Sequence, residues 1–195
     1  MNGHFVSGFV KETLPSNPNL FGISFSTYYL VYLLADPNFE TDIGQAFTNS
    51  FELCQQKLLV ADFDCKFSGT TSVVLMIDGK RIISANAGDS RGILGCYNHK
   101  GKITIQLIIN PSIGWGYKLL SNDHKPDTPQ EAQRILRSGG RIEPFKDYDG
   151  SFVGPSRVWL ASQDIPGLAM SRSIGDFVAA SVGVSCIPGK EILKE

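Results

Sequence analysis

The sequence has few cysteines and no excess of charge of either sign, and each of these features argues against certain classes of function. Its four cysteines are Cys54, Cys65, Cys96 and Cys186, and no two form a C-x-x-C pair, which argues against a zinc site or a disulfide framework. We therefore expect reduced thiols in a cytoplasmic or nuclear protein. The 18 basic and 19 acidic residues leave a net charge of -1 with no block of like charge. This balance argues against binding to nucleic acid or to anionic membranes.

Long apolar runs are also missing. The longest candidate is "LFGISFSTYYLVYLLA", Leu20 to Ala35, which is interrupted by serine, threonine and tyrosine. It falls short of the ~20 apolar residues that a membrane-spanning helix needs. We expect a buried core segment or an irregular insertion there. The first residues, "MNGHFVSGFV", lack the pattern of a secretory signal.

What is present indicates one globular domain. With 195 residues and 42% hydrophobic content, the chain can bury a sizeable core. One helix is predicted at "GHFVSGFVKETLP" and a second from Thr41 to about Leu59. In the second, Asp42 stands where a helix N-terminus favours negative charge. Its apolar residues recur at helical spacing and predict a core-facing side: Ile43, Ala46, Phe47, Cys54 and Leu58.

A β-hairpin follows. The segments "TTSVVLMI" and "KRIISANAG" flank Asp78-Gly79, a preferred pair for a two-residue type I′ turn. We expect "GILGCY" and "KITIQLIIN" to extend the hairpin into an antiparallel meander. Val73 to Ile77 is apolar at every position, which predicts that both faces of this strand are covered.

A third helix is indicated by "DTPQEAQRILRSGG", with Arg134 and Arg137 expected on its exposed face. Its signals are Thr128 as N-cap, Pro129 as the first helical residue, Glu131 closing a capping box and Gly139 after the last turn. Beyond it, the glycine, proline and aspartate residues predict a loop-rich last third.

The G-x-S-x-G pattern at Gly88 to Gly92 offers Ser90 as a nucleophile. That chemistry needs a helix directly after the serine and a separate acid and histidine later in the chain. More strand follows Gly92 instead, and Asp123 and His124 are adjacent, a poor arrangement for an acid that orients a base. A serine hydrolase is therefore a distant alternative.

Two aspartates beside glycines, Asp89 and Asp176, each allow two interpretations. Either could bind a hard cation such as Mg²⁺ or Mn²⁺, or could cap its own turn. Taken singly, turn capping is favoured for both. His4 and His124 could donate protons, although such histidines more often have a solvated or structural role. Asp78-Gly79 and Asp149-Gly150 are assigned to turns.

Three segments taken together are more specific than any single residue. "FSGTTSVVLMIDGKRIISANAGDSRGIL", "LSNDHKPDTPQEAQRILRSGGRI" and "VWLASQDIPGLAMSRSIGDF" with the later "VGVSCIP" resemble, in this order, blocks of the metal-dependent protein phosphatase family, also called protein phosphatase 2C or PPM-type. The resemblance runs from about Gly3 to Pro188. It implies an α+β fold: an α-β-β-α sandwich of two antiparallel sheets flanked by helices.

The resemblance also implies a function. Members use two or three Mg²⁺ or Mn²⁺ ions to activate a water that hydrolyses phosphoserine and phosphothreonine in proteins. By matched position, Asp176 resembles a metal ligand and Asp89 a ligand of an additional, weaker metal ion. Arg172 resembles a residue that supports the metal ligands. Trp159 belongs to the segment from Arg141 to Leu168, which resembles the flap that contacts protein substrates. The expected partners are phosphorylated proteins, and we expect a monomer.

The chain also departs from the family pattern. It offers only "MNGHF" where the family has a D-G-H-G block, and it lacks the phosphate-binding arginine, the later D-G strand and the final Asp-Asn. The catalytic histidine and arginine are therefore unassigned. We expect residues 1–195 to be part of a phosphatase domain, truncated at both ends, with an incomplete active site. The alternative is a pseudophosphatase or phosphoprotein-binding module.

Overall fold

A computed structural model describes residues 27–97, 108–109 and 115–194. The predicted helix at "GHFVSGFVKETLP" and His4 lie outside these residues. The described elements are α1 (Thr27–Ala35), α2 (Ile43–Leu59), β1 (Gly69–Thr70), β2 (Ser72–Asp78), β3 (Arg81–Ala87), β4 (Ile93–Tyr97), β5 (Ile108–Ile109), β6 (Trp115–Leu119), α3 (Pro129–Arg137), β7 (Gly140–Lys146), β8 (Phe152–Leu160), β9 (Gln163–Leu168), β10 (Ile174–Gly175), α4 (Phe177–Ala180) and β11 (Gly189–Lys194).

The main core lies between helix α2 and one face of the antiparallel sheet β11-β3-β2. The helix begins at Ile43, two residues after the predicted Thr41, and Asp42 caps it, since its side chain accepts a hydrogen bond of 3.0 Å from the backbone N–H of Gln45. Its buried side is the one that the spacing predicts: Ala46, Phe47, Phe51, Cys54 and Leu58 are buried, and Ile43 is half-buried. These side chains pack with buried residues of the sheet, namely Val74, Ile83, Ala85 and Ala87.

The predicted hairpin is present, but its turn lies one residue later than expected. Asp78 pairs with Arg81, so the two-residue loop is Gly79 and Lys80. Only the first loop residue, Gly79, has a positive φ, 56°, whereas a type I′ turn needs positive φ at both. The prediction that both faces of the strand are covered is wrong at this end, because Ile77 is 77% exposed.

A second antiparallel sheet, β4-β6-β5, follows the hairpin. The segment after β6 lies on the face of β3 that points away from α2. Ser84 donates to the carbonyl of Leu120, and Asn86 donates to that of Asn122. The predicted meander is wrong in its order, since β4 pairs with β6 and not with β5. The sequence analysis missed strand β6, although its sequence alternates large apolar residues with Gly116 and Lys118.

The last third forms a third antiparallel sheet, β7-β8-β9, where a loop-rich segment was predicted. Prolines at positions 144, 155 and 166 interrupt its alternation, and the β7-β8 register shifts between Glu143 and Phe145, around Pro144. A second core of Ile135, Val158, Ala179, Val182 and Val184 lies beside this sheet, where α3 packs on β7.

The predicted fold class is confirmed in its incomplete form, with antiparallel sheets and few helices. Helix α2 covers one face of the sheet β11-β3-β2, and the segment after β6 lies on its other face. Within residues 27–97 and 115–194, no helix combines the length and apolar character needed to cross a membrane.

Candidate functional site around Asp176

Asp176 occupies an unusual backbone position between β10 and α4. Its φ of 46° and ψ of 49° are left-handed, and it is the one non-glycine residue with positive φ in the described part of the chain. Aspartate tolerates this region better than most residues, yet such conformations still cost about 1–3 kcal/mol. The surrounding contacts must therefore hold it there.

Backbone contacts on one side and a glutamine on the other fix this position. The N–H of Asp176 donates to the carbonyl of Ser68 at 2.9 Å, and β1 pairs with β10 so that Gly69 lies opposite Gly175. From α2, Gln55 binds both backbone groups of Gly175: its Oε1 accepts from the N–H at 2.7 Å, and its Nε2 donates to the carbonyl at 3.2 Å.

The Asp176 carboxylate is buried, with the residue only 8% exposed. Its Oδ2 accepts a hydrogen bond of 2.5 Å from Ser173 Oγ. Burial raises the pKa of Asp176, and the Ser173 hydrogen bond opposes that shift. Among the described residues, no cationic side chain forms an ion pair with Asp176. Within the described residues, no opposite charge therefore compensates the burial of this carboxylate.

A cavity of about 450 Å³ opens beside this carboxylate. One part of its lining carries hydroxyl groups and the other is apolar. Its lining residues are Phe67, Ser68, Gly69, Thr70, Thr71, Leu168, Met170, Ser173 and Asp176. The cavity thus joins a buried acid to the segment after β9, at the end of the flap.

Asp89, the second predicted ligand, is already paired with a cation. Lys125 Nζ lies 2.5 Å from Asp89 Oδ2. The neighbouring Ser90 shares a hydrogen bond of 2.7 Å with the cavity residue Thr71, and Gly88 packs closely against Thr71. The loop of Asp89 therefore adjoins the cavity wall, although Asp89 itself does not line the cavity.

Ser90 lacks the surroundings of a nucleophile. Strand β4 follows it where a hydrolase needs a helix, and its hydroxyl bonds Thr71. Asp123, the acid next to His124, binds Arg91 through two hydrogen bonds of 2.9 and 2.7 Å. His124 is buried with its Nδ1 3.0 Å from the Gly88 carbonyl, and burial lowers its pKa. The serine hydrolase hypothesis is wrong.

Arg172 binds a carboxylate other than Asp176. Its Nη2 lies 2.6 Å from Glu131 Oε1, and its Nη1 donates to the carbonyl of Ile187 at 2.8 Å. Arg134 and the Ser171 hydroxyl bind the same Glu131 at 2.7 Å each. This cluster joins α3 to the segment that leads into Ser173 and Asp176. Arg172 can support Asp176 only through that backbone.

Two predictions for α3 are therefore wrong. Thr128 makes no side-chain cap, since its hydroxyl donates to the carbonyl of Lys125 at 2.5 Å, and the Glu131 side chain that would complete a capping box binds the arginines instead. Arg134 is half-buried and not on an exposed face. Burial raises the pKa of Glu131, but the hydrogen bonds from Arg172, Arg134 and Ser171 outweigh burial and hold its pKa far below the usual range.

Trp159 lies in β8, the central strand of the β7-β8-β9 sheet. It is 7% exposed, and its Nε1 donates to the Glu143 carbonyl at 2.9 Å. The Arg141 guanidinium lies 5.9 Å from the ring centroid, a cation–π contact. The exposed apolar side chains of this segment are others that the sequence analysis did not single out: Phe145, Tyr148, Phe152, Val153 and Ile165.

The described residues bring the two predicted aspartates into neighbouring loops, but they contain no group of three or more His, Cys, Asp or Glu that could hold a metal ion. The residues that hold Asp176 were missed. Gln55 resembles any polar helix residue, and Ser173 gives no signal without knowledge of the turn. Asp149-Gly150 is a turn, as predicted, with Gly150 at a φ of 86°.

Residues 32–191 match the family described as protein phosphatase 2C. Probable protein phosphatase 2C 72 of Arabidopsis thaliana is 35% identical over 196 residues, which cover 96% of this chain and 50% of that protein. Probable protein phosphatase 2C 12 of Oryza sativa subsp. japonica is 40% identical over 150 residues, which cover 76% of this chain and 34% of that protein. The chain thus spans half or less of the length of these relatives.

Solved structures agree on the fold. A serine-threonine phosphatase 2C from Toxoplasma gondii superposes with a TM-score of 0.67 at 18% identity, covering 87% of this chain and 58% of that one. A sex determining protein of C. elegans superposes with a TM-score of 0.58 at 22% identity, covering 86% and 34%. At these identities the likeness concerns the fold alone. The sequence relationship shows more: the chain belongs to the protein phosphatase 2C family.

Proposed function

We propose that this chain forms part of a PPM-type domain that hydrolyses phosphoserine and phosphothreonine in proteins with the help of Mg²⁺ or Mn²⁺. The observation that carries the proposal is the Asp176 carboxylate, which is buried, lines a cavity and has no cationic partner among the residues that the structure describes. Such a group is costly to bury in its charged form unless a cation compensates it.

The donor set fits a hard cation at one position. Mg²⁺ and Mn²⁺ prefer carboxylate oxygens, and Ser173 holds one oxygen of Asp176 while the other accepts no hydrogen bond from the described part of the chain. One carboxylate fills only part of the coordination shell, so the remaining ligands would be waters, phosphate oxygens or residues beyond those described. When bound, the metal would activate a water and screen phosphate charge.

The chain's own residues prepare this position. Ser173 orients the carboxylate, and Gly69 leaves the space that the carboxylate fills. The Glu131 cluster fixes the preceding segment through Arg172 and Ser171. Asp89 would hold an additional ion, and hold it weakly, because a cation there must displace the Lys125 ammonium. We assign the flap to protein substrates, with Trp159 stiffening the sheet whose strand β7 exposes Phe145 and whose following turn exposes Tyr148.

Phosphate release from a phosphothreonine peptide tests the proposal. With Mn²⁺ present, we expect the complete domain that contains this chain to release phosphate and its Asp176→Asn variant to lose that release. Asp149→Asn is the matched control, since it changes an exposed turn aspartate. An Asp176→Asn variant as active as the wild type would contradict the role of Asp176.

A second candidate is a phosphoprotein-binding module without hydrolysis. The observation that favours it is that the described residues gather no three-ligand metal cluster. Fluorescence polarisation with the same phosphopeptide and its unphosphorylated form separates the two functions. Selective binding of the phosphorylated form without phosphate release would favour this candidate over the first.

The extent of the native protein is also part of the proposal, since residues 1–195 are taken as part of a larger domain. An antibody against residues 128–140 would capture the native protein for intact mass measurement. A mass well above 21.3 kDa supports the proposal, and a mass equal to it contradicts this part.

A further inference from the structure

Gln55 makes an unusual contact for a helix residue. It approaches Gly175 from α2, and its amide binds both the N–H and the carbonyl of that residue, at 2.7 and 3.2 Å. The next N–H, that of Asp176, donates instead to Ser68 in the segment before β1. Gln55 therefore provides the donor and the acceptor that a neighbouring strand would otherwise supply.

The backbone that Gln55 holds is strained. Gly175 has a φ of 88° and Asp176 a φ of 46°, so two consecutive residues are left-handed. A Cβ at position 175 would lie 2.5 Å from the Ser68 carbonyl oxygen, so glycine is needed there. Both residues are buried, and buried backbone groups without partners are strongly disfavoured.

We infer that Gln55 is a positioning residue for Asp176: its amide holds Gly175 in the conformation that turns the Asp176 carboxylate toward the cavity. The inference rests on the proposed function for the role of Asp176 as a metal ligand. Gln55 itself does not line the cavity. It acts from α2, whose buried side is anchored in the main core. The helix thereby sets the geometry of the site.

The variants remove this contact in two ways. Gln55→Glu keeps an acceptor for the Gly175 N–H but places a carboxylate oxygen against the Gly175 carbonyl. Gln55→Met keeps the length of the side chain and removes both hydrogen bonds. Gln56→Glu is the matched control, because it makes the same charge change at the next, exposed position of α2. Phe47→Leu lowers core stability without reaching Gly175, which separates a specific effect from general destabilisation.

The first readout needs no metal. A positive φ brings the amide proton close to the Hα of its own residue, so Asp176 should show a strong intraresidue NOE in the wild type. We expect this NOE to weaken in Gln55→Glu and Gln55→Met and to persist in Gln56→Glu and Phe47→Leu. Its persistence in both Gln55 variants would overturn the inference.

The second readout is the Mn²⁺ titration of the full chain, followed by broadening of the backbone amide signals of Ser173 to Asp176. Residues that support metal ligands typically change affinity on the order of 10- to 100-fold. We expect a weakening of that order in both Gln55 variants and unchanged affinity in the two controls. Unchanged affinity despite a weakened NOE would overturn the positioning role.

Failure of the proposed function looks different. If Mn²⁺ broadens no signal near Asp176 even in the wild type, the metal role of Asp176 is wrong, and the positioning role toward a metal falls with it. The NOE comparison still decides whether Gln55 holds the left-handed backbone of Gly175 and Asp176.

Discussion

The Asp176 carboxylate lies directly against the α-carbon of Gly69, so that a side chain at position 69 would occupy the same space as the carboxylate and the Ser173 hydroxyl. Gly69 belongs to β1 and Asp176 follows β10, so this contact forms only when the two short strands pair. The absence of a side chain at position 69 is therefore a requirement of the site.

Gly69→Ala should displace the Asp176 carboxylate. We expect a loss of about 1–3 kcal/mol in the free energy of unfolding, as in other overpacked positions, and weaker Mn²⁺ binding near Asp176. Urea unfolding and Mn²⁺ titration measure the two effects. Gly95→Ala is the control, because a Cβ at position 95 would meet no atom within 4 Å. Equal effects at both positions would contradict the prediction.

Asp176→Asn should stabilise the metal-free chain at neutral pH while removing metal binding. Burial raises the pKa of Asp176 in the folded state. The stability that this group contributes is then fully present below the pKa of the unfolded chain and is lost as the pH rises through the folded pKa. Asparagine tolerates the left-handed backbone and cannot ionise. Urea unfolding as a function of pH should show an advantage for Asp176→Asn that shrinks toward acidic pH.

The opposite outcome would show that the ionised Asp176 carboxylate is stabilised by something other than a metal. That outcome is either an Asp176→Asn variant that is less stable than the wild type at neutral pH, or a stability advantage of the variant that grows toward acidic pH. Asp149→Asn is the control, since this residue is exposed in a turn.

Glu131→Gln should destabilise the chain by about 3 kcal/mol, because it leaves Arg134 and Arg172 without their shared counter-charge in a buried cluster. The hydrogen bonds that lower the pKa of Glu131 against its burial contribute stability above the unfolded pKa, and this is lost as the pH falls toward the folded pKa. The wild type should therefore lose stability in acid more steeply than the variant.

Glu143→Gln is the comparison for this cluster. Glu143 pairs with Arg141, but its side chain is 41% exposed, so its loss should change stability by less than about 1 kcal/mol. Chemical denaturation of both variants at neutral and acidic pH measures the difference. Equal effects would show that the Glu131 cluster is no stronger than a surface ion pair.

Lys125→Met should increase the affinity of the Asp89 loop for Mn²⁺. Because the Lys125 and Asp89 side chains are 39% and 28% exposed, the gain should stay below about tenfold. Broadening of the amide signals of Gly88 to Ser90 during a Mn²⁺ titration reports it. Lys80→Met, at the exposed hairpin turn, is the control. No gain at all would show that Asp89 does not bind the ion.

Local signals predicted the elements that depend on neighbours in sequence. Helix α2 follows from the spacing of Phe47, Cys54 and Leu58 and from Asp42 at its start, because these contacts form within the helix or on one side of it. The hairpin after Thr70 follows from two apolar runs around a glycine turn. Nothing distant competes with either arrangement.

The remaining features of the site depend on contacts between residues far apart in sequence, which a local sequence pattern does not reveal. Thr128 and Glu131 have the spacing of a capping box, but Arg172 lies 41 residues later and draws Glu131 inward. Gln55 and Gly175 are 120 residues apart. The position of Asp176 was identified by resemblance, and the residues that hold its backbone could be found only once the strands were paired.

The most direct test of this account is a Mn²⁺ titration of the full chain, monitored by the amide signals of Ser173 to Asp176, in the wild type and in Asp176→Asn. The account predicts selective broadening at these residues in the wild type and its loss in Asp176→Asn, with Asp149→Asn unchanged. Broadening that is equal in the wild type and in Asp176→Asn, or that never occurs near Asp176, would contradict the claim that this carboxylate is a metal ligand.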